Sequence, residues 1–142
     1  MSLSLPKPLH REKAPKRITR TCRPRRKRRG GKAALAREAD RLWSLIVRGR
    51  GACEMEGDHG GPLQGAHGFS RRYRTTRWLP INGFCLCAGH HVAMTHDPLA
   101  WDDFLRRAWG EPVYQELKRL AQRTDAPDVA AAVARLRVEA GE

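Results

Sequence analysis

The chain contains no apolar run near the roughly 20 residues needed to cross a bilayer, so a transmembrane helix is excluded. Its N-terminus has none of the apolar stretch of a secretory signal, which sets the expectation of a cytoplasmic protein with reduced thiols. Cysteine is scarce: Cys22, Cys53, Cys85 and Cys87 are the whole complement. Cys85 and Cys87 would share one strand face and be poorly placed to bond each other. A disulfide framework is therefore not expected, and metal ligation or burial is. No internal repeat occurs, which excludes a solenoid. Acidic residues are nearly missing from one segment only: residues 1–32 hold Glu12 and no other.

That last absence locates the charge. The 142 residues carry 28 Lys and Arg against 15 Asp and Glu, a net +13. Residues 1–32 account for 13 of the basic residues, and residues 33–142 are nearly balanced, so a uniformly basic, histone-like protein is excluded. The first segment also holds four prolines, Gly30-Gly31 and the run Arg25-Arg26-Lys27-Arg28-Arg29. It repels itself and has almost nothing apolar to bury, so it reads as a disordered basic arm. Such an arm binds polyanions with a salt-sensitive, sequence-independent term. It does not report what the remaining domain, residues 33–142, does.

Within that domain, Leu35, Ala39, Leu42, Trp43 and Ile46 repeat at helical spacing and predict a helix over 33–47, ended by Gly49 and Gly51. Residues 52–97 change texture to Gly, His, Cys and Arg. Short apolar pieces at Leu63–Phe69 and Ile81–Leu86 predict two strands joined by a basic loop. A short helix is predicted from Ala88 to about Thr95, closed by Pro98. Residues 98–142 read as helical. Trp101, Phe104, Leu105, Ala108 and Trp109 form one stripe, and Val113, Leu117, Leu120 and Ala121 a second. Val129, Val133, Leu136 and Ala140 form the third, with Asp125 as N-cap. Residues 97–142 hold seven basic and nine acidic residues, so this part is not an obvious DNA-binding surface. The expected class is α+β.

Five of the six histidines (His59, His67, His90, His91 and His96) fall within 59–96, beside three of the four cysteines. Clustered His and Cys in a reduced compartment is a metal-site signal. Three pieces stand in order: Gly65-Ala66-His67-Gly68-Phe69, Asn82-Gly83, and Cys87-Ala88-Gly89-His90-His91. The stretch from Leu63 to His91, with LQGAHGFSRR, INGFCLC and AGHH, resembles the HNH (ββα-metal) endonucleases, in particular those of bacteriophages, including the NinG-type recombination nucleases. The segment PLAWDDFLRRAWGEPVYQEL is similar to the region C-terminal to the motif in those phage proteins. The resemblance covers roughly residues 40–120.

It implies a small ββα-metal core and a metal-dependent DNA endonuclease serving phage recombination or DNA processing in an infected host. DNA is the implied partner, no membrane is, and a second copy of the chain is a further candidate. His67 would be the general base, since imidazole titrates near neutrality. Asn82 would orient that histidine or its loop, or serve as a turn residue in Asn-Gly. His91 would ligate a divalent cation such as Mg²⁺.

Two positions depart from the family pattern. Ala66 stands where many HNH enzymes carry a metal-binding Asp, and His96 is the candidate replacement, with Asp97 or Asp58 as alternatives. Cys53 and Cys87 fit the first position of each zinc knuckle. Glu56 and His90 stand at the second positions, with Asp58 or His59 able to serve for Glu56. A structural Zn²⁺ would then rest on Cys53, Glu56, Cys87 and His90.

Arg71, Arg72, Arg74 and Arg77 interleave with Tyr73 and Trp78 beside the base, a composition suited to phosphate and base contacts. Together with the 25–29 run, these are the candidate nucleic-acid contacts. The rival readings are a non-catalytic, zinc-ribbon-like DNA-binding accessory protein and an RNA-binding factor.

Overall fold

The computed structural model describes residues 30–142; the arm with Arg25, Arg26, Lys27, Arg28 and Arg29 lies outside the described residues. Helix α1 (Gly31–Arg48) is followed by strand β1 (Leu63–His67), a 3-10 turn (Pro80–Asn82), strand β2 (Gly83–Cys87) and helix α2 (Ala88–His96). Helices α3 (Pro98–Trp109), α4 (Glu111–Ala121) and α5 (Val129–Ala140) complete the chain. The class is α+β, as expected. Among the described residues no helix is long and apolar enough to cross a membrane.

The apolar spacing of α1 places Ala39, Leu42, Trp43 and Val47 on one buried face. The helix stops where Gly49 donates its N–H to the Leu45 carbonyl at 2.8 Å. Gly51 then turns the chain at φ +80°, a conformation that costs glycine no Cβ clash. The strands pair antiparallel, with Leu63 opposite Cys87 and His67 opposite Gly83. Both are shorter than the sequence predicted. Phe69 and Ile81 lie outside the ladder, because Asn82 draws the chain after His67 into its own hydrogen bonds. Nor is Asn82-Gly83 a tight turn: Gly83 is extended, at φ −114° and ψ 143°.

Strand β2 is buried along its whole length and separates two apolar clusters. Alternation sends Cys85 to one side, with Ala39, Leu42, Trp43, Val47, Trp78, Ala132, Val133 and Leu136 from α1, the connecting loop and α5. Phe84 and Leu86 face the other side, with Ala66, Leu105 and Tyr114, framed by Trp101, Phe104 and Trp109. Leu42, Leu86 and Leu136 are fully buried, so truncating any of them to Ala would cost about 2–5 kcal/mol. Helix α5 thus closes the α1 side, and α3 with α4 closes the other.

Asp97 ends α2 and caps α3, accepting the Ala100 N–H at 2.9 Å. Two sequence expectations need correction here. In α4 the buried stripe is Tyr114, Leu117 and Ala121, while Val113 is exposed. The α5 cap is Asp128, which accepts the Ala131 N–H at 3.0 Å, whereas Asp125 pairs with Arg123.

Candidate active site and metal centre

Helix α2 leaves the end of β2 that pairs with Leu63, and His91 Nδ1 lies 2.7 Å from Gln64 of β1. His67, at the last position of β1, and His91, in the first turns of α2, line one open cavity of about 920 Å³. A smaller adjoining cavity of about 210 Å³ is lined by both histidines with Ala66, Leu86 and Met94. Both histidines thus line both cavities.

Each ring has one nitrogen fixed. His67 Nε2–H donates to the Arg77 carbonyl at 3.1 Å. A carbonyl only accepts, so Nε2 carries the proton and Nδ1 is the basic nitrogen. His91 Nδ1–H donates to Gln64 Oε1 at 2.7 Å, which leaves its Nε2 available. Burial holds His67 below the ordinary histidine pKa; the Arg77 carbonyl and Asp40 oppose that shift, and the charges of Arg77 and Arg71 add to it. His67 is thus neutral at neutral pH, the protonation state a general base requires.

Asn82 is fully buried and fixes the loop that follows His67. Its Oδ1 accepts the Phe69 N–H, and its Nδ2 donates to the carbonyls of Phe69 and Thr76. Its own carbonyl accepts the Gly68 N–H at 2.8 Å. Gly68 is small by necessity, since a Cβ there would lie 2.4 Å from the Trp109 ring. Asn82 makes no hydrogen bond to His67 and does not line the cavity. It places the segment whose next carbonyl, that of Arg77, holds the imidazole.

A second constellation lies at the far end of β2. The ligand atoms of Cys53, His59, Cys87 and His90 fall within 4.8 Å of one another. His90 Nδ1 lies 3.3 Å from Cys53 Sγ and 3.4 Å from Cys87 Sγ. Tetrahedral zinc with bonds of about 2.0–2.3 Å sets its ligands about 3.3–3.8 Å apart, so two edges of the tetrahedron are already formed. The Cys87 thiol is pulled down to about 6, first by the His90 N–H and then by the Gly60 N–H, which favours the thiolate that metals bind. Two thiols and two imidazoles are a structural zinc donor set. The fourth member is His59; Glu56 is exposed and stands outside the group. The signal in sequence was chemical: imidazole suits such a site better than carboxylate.

The cation expected beside His67 has fewer donors. His91 offers one nitrogen. Ala66 is 2% exposed and offers none. His96 is exposed at the end of α2 and does not line the cavity. Five residues after His91, it lies about 140° around the helix. Asp97 is engaged as the α3 cap. Asp40 lines the cavity, but its carboxylate accepts from Arg77 Nε and Nη2 and from Trp78 Nε1.

The loop arginines divide. Arg71 and Arg72 line the cavity with Tyr73. Arg72 lies over the Tyr73 ring at 5.0 Å and donates to its hydroxyl. Arg74 points away, lining two outer grooves that also carry Arg123 and Arg135. Arg77, also expected as a nucleic-acid contact, is paired with Asp40. Sequence reading missed Asp40 and Gln64 and took Trp43 for core alone; all three meet the site.

No family model, curated protein or solved structure matches this chain.

Proposed function

We propose that the chain is a metal-dependent DNA endonuclease with His67 as general base. The observation that carries this reading is that His67 and His91 line one cavity, each with one ring nitrogen held by a hydrogen bond. Phosphodiester hydrolysis needs a base for the attacking water, charge compensation at phosphorus and a hold on the backbone. His67 Nδ1 takes the water proton, with the tautomer set by the Arg77 carbonyl. Arg71 and Arg72 hold the phosphate. Asn82 keeps the loop between them rigid, as a positioning residue. His91 Nε2 would be the protein ligand for a divalent cation. That cation would supply charge stabilisation at the leaving oxygen. The Cys53, His59, Cys87 and His90 group holds a structural zinc that ties the loop before β1 to α2. The arm adds affinity for any polyanion.

A supercoiled-plasmid nicking assay across Mg²⁺, Mn²⁺ and Ni²⁺ tests the proposal. His67→Ala is expected to abolish nicking with fold and DNA affinity intact, and His91→Ala to abolish it in a metal-dependent way. Unchanged nicking by His67→Ala would defeat the assignment. One observation favours a second reading: Ala66 leaves the cavity without a committed carboxylate ligand. A non-catalytic DNA-binding accessory protein would bind the same plasmid and cut it with none of the three metals.

A further inference from the structure

We infer that α1, through Trp43 and Asp40, is the positioning element for His67, holding its imidazole in one orientation and one tautomer. The inference rests on the nuclease reading for its purpose, but its evidence is geometric. The Trp43 indole stacks on the His67 ring with centroids 3.8 Å apart and planes 12° from parallel. Its own Nε1–H donates to the Leu79 carbonyl at 3.0 Å, so the indole cannot rotate without losing a bond.

The sheet is built to admit that ring. Gly83 is the cross-strand partner of His67, and Gly65 precedes His67 by two on the same face. A Cβ at Gly83 would lie 2.7 Å from Trp43 Cζ2 and 2.4 Å from Val47 Cγ2, and one at Gly65 would lie 3.1 Å from Trp43 Cζ3. Gly83 has ordinary extended backbone angles, so it is glycine for space rather than for conformation. Two glycines in strands that would otherwise favour side chains clear a slot for one indole beneath one imidazole.

Asp40 completes the hold from three residues earlier on α1, and thus on the same helix face as Trp43. Its carboxylate accepts from Arg77 Nε at 2.9 Å, Arg77 Nη2 at 2.6 Å and Trp78 Nε1 at 2.8 Å. That fixes the peptide whose carbonyl receives His67 Nε2–H. One face of the imidazole is therefore covered by Trp43 and one edge is held through Asp40, which leaves Nδ1 as the nitrogen free to act. Core packing alone would be met by any apolar residue at 43. It would not require a half-exposed aspartate at 40.

The test uses the full chain and three variants. Trp43→Phe keeps an aromatic face, Trp43→Leu keeps an apolar side chain without a ring, and Asp40→Asn loosens Arg77 from a half-exposed position, with thermal melting as the control for lost stability. Imidazole ¹⁵N shifts report the His67 tautomer, and nicking kinetics separate kcat from KM. The wild type is expected to hold a single Nε2–H tautomer. Trp43→Leu and Asp40→Asn should give mixed tautomers and lose about tenfold or more in kcat, with KM within about twofold; Trp43→Phe should retain most of both. A single tautomer with wild-type kcat in Trp43→Leu or Asp40→Asn would overturn the inference, as would losses no larger than the unfolded fraction seen by thermal melting. A wild type that does not nick would defeat the nuclease reading, and the ¹⁵N shifts would still decide the positioning role.

Discussion

Asn82 and Phe69 are bonded in both directions: the Asn82 Oδ1 accepts the Phe69 N–H at 2.7 Å, and the Asn82 Nδ2 donates to the Phe69 carbonyl at 3.0 Å. The remaining Nδ2 hydrogen goes to the Thr76 carbonyl at 3.1 Å. One buried amide thus closes both ends of the loop beside His67. Asn82→Ala would leave backbone groups of Phe69 and Thr76 unpaired, a destabilisation of about 1–3 kcal/mol. Asn82→Asp should be no better, because it sets a second acceptor against two carbonyls. Thermal melts should show both losses. Nicking should fall further than the melts explain, since the Arg77 carbonyl moves with the loop.

On the proposed nuclease reading, His67 should set the pH dependence of nicking. Its pKa lies below the ordinary 6.5, first because of burial. The base works as the neutral ring, so activity should stay full through neutrality and fall only on the acid side, with a midpoint below about 6.5. Stability changes in the same direction. The unfolded chain takes up this proton at about 6.5 and the folded chain only at lower pH. The stability present above the unfolded value is therefore lost as pH falls through the folded one. The charged groups facing the ring are Asp40, which opposes the shift, and Arg77 and Arg71, which add to it. An acid limb centred above about 6.5 would rule out His67 as the titrating base.

Metal content distinguishes the ligand set the structure assembles from the one the sequence suggested. One zinc per chain is expected by elemental analysis. Cys53→Ser and His59→Ala should each lower retention through dialysis against a chelator, and Glu56→Ala should not. Because the site joins residues 53–59 to the start of α2, chelation should also lower the melting temperature of the wild type. Loss of metal in Glu56→Ala with retention in His59→Ala would reverse the assignment.

The elements were legible in the sequence wherever one period dominated. The α1 stripe, the short apolar run of β2 and the Pro98 boundary each come from a single local rule. So did the Cys and His cluster, because those residue types seldom gather without cause. What was not legible depends on contacts across the chain. Asp125 and Asp128 are equally good caps by composition, and the fold places the N-cap of α5 at Asp128. Trp43 reads as one more apolar residue on a helix face until β1 and β2 place Gly65 and Gly83 beneath it. Arg77 cannot be told from Arg74 in sequence; the fold brings Asp40 to one and not the other. Ala66 was visible as a departure from the family pattern, and helical spacing alone sets His96 about 140° around the axis from His91.

That division among the arginines yields the last prediction. Arg71 and Arg72 line the cavity, and Arg74 an outer groove beside Arg123; among the described residues none of the three forms an ion pair with an acidic side chain. Each that meets a duplex phosphate should contribute about 0.9 to the slope of log affinity against log salt. Arg71→Ala and Arg72→Ala should therefore flatten that slope, leave the melting temperature unchanged and reduce nicking. Arg74→Ala should weaken binding with a smaller effect on the cut. Arg77→Ala should behave in the opposite way: the slope stays and stability falls, because Asp40 loses two of its three donors. Measured on the His67→Ala background in chelator, binding is separated from cleavage. A flattened slope in Arg77→Ala alone would place the phosphate on the α1 side of the cavity rather than along the loop.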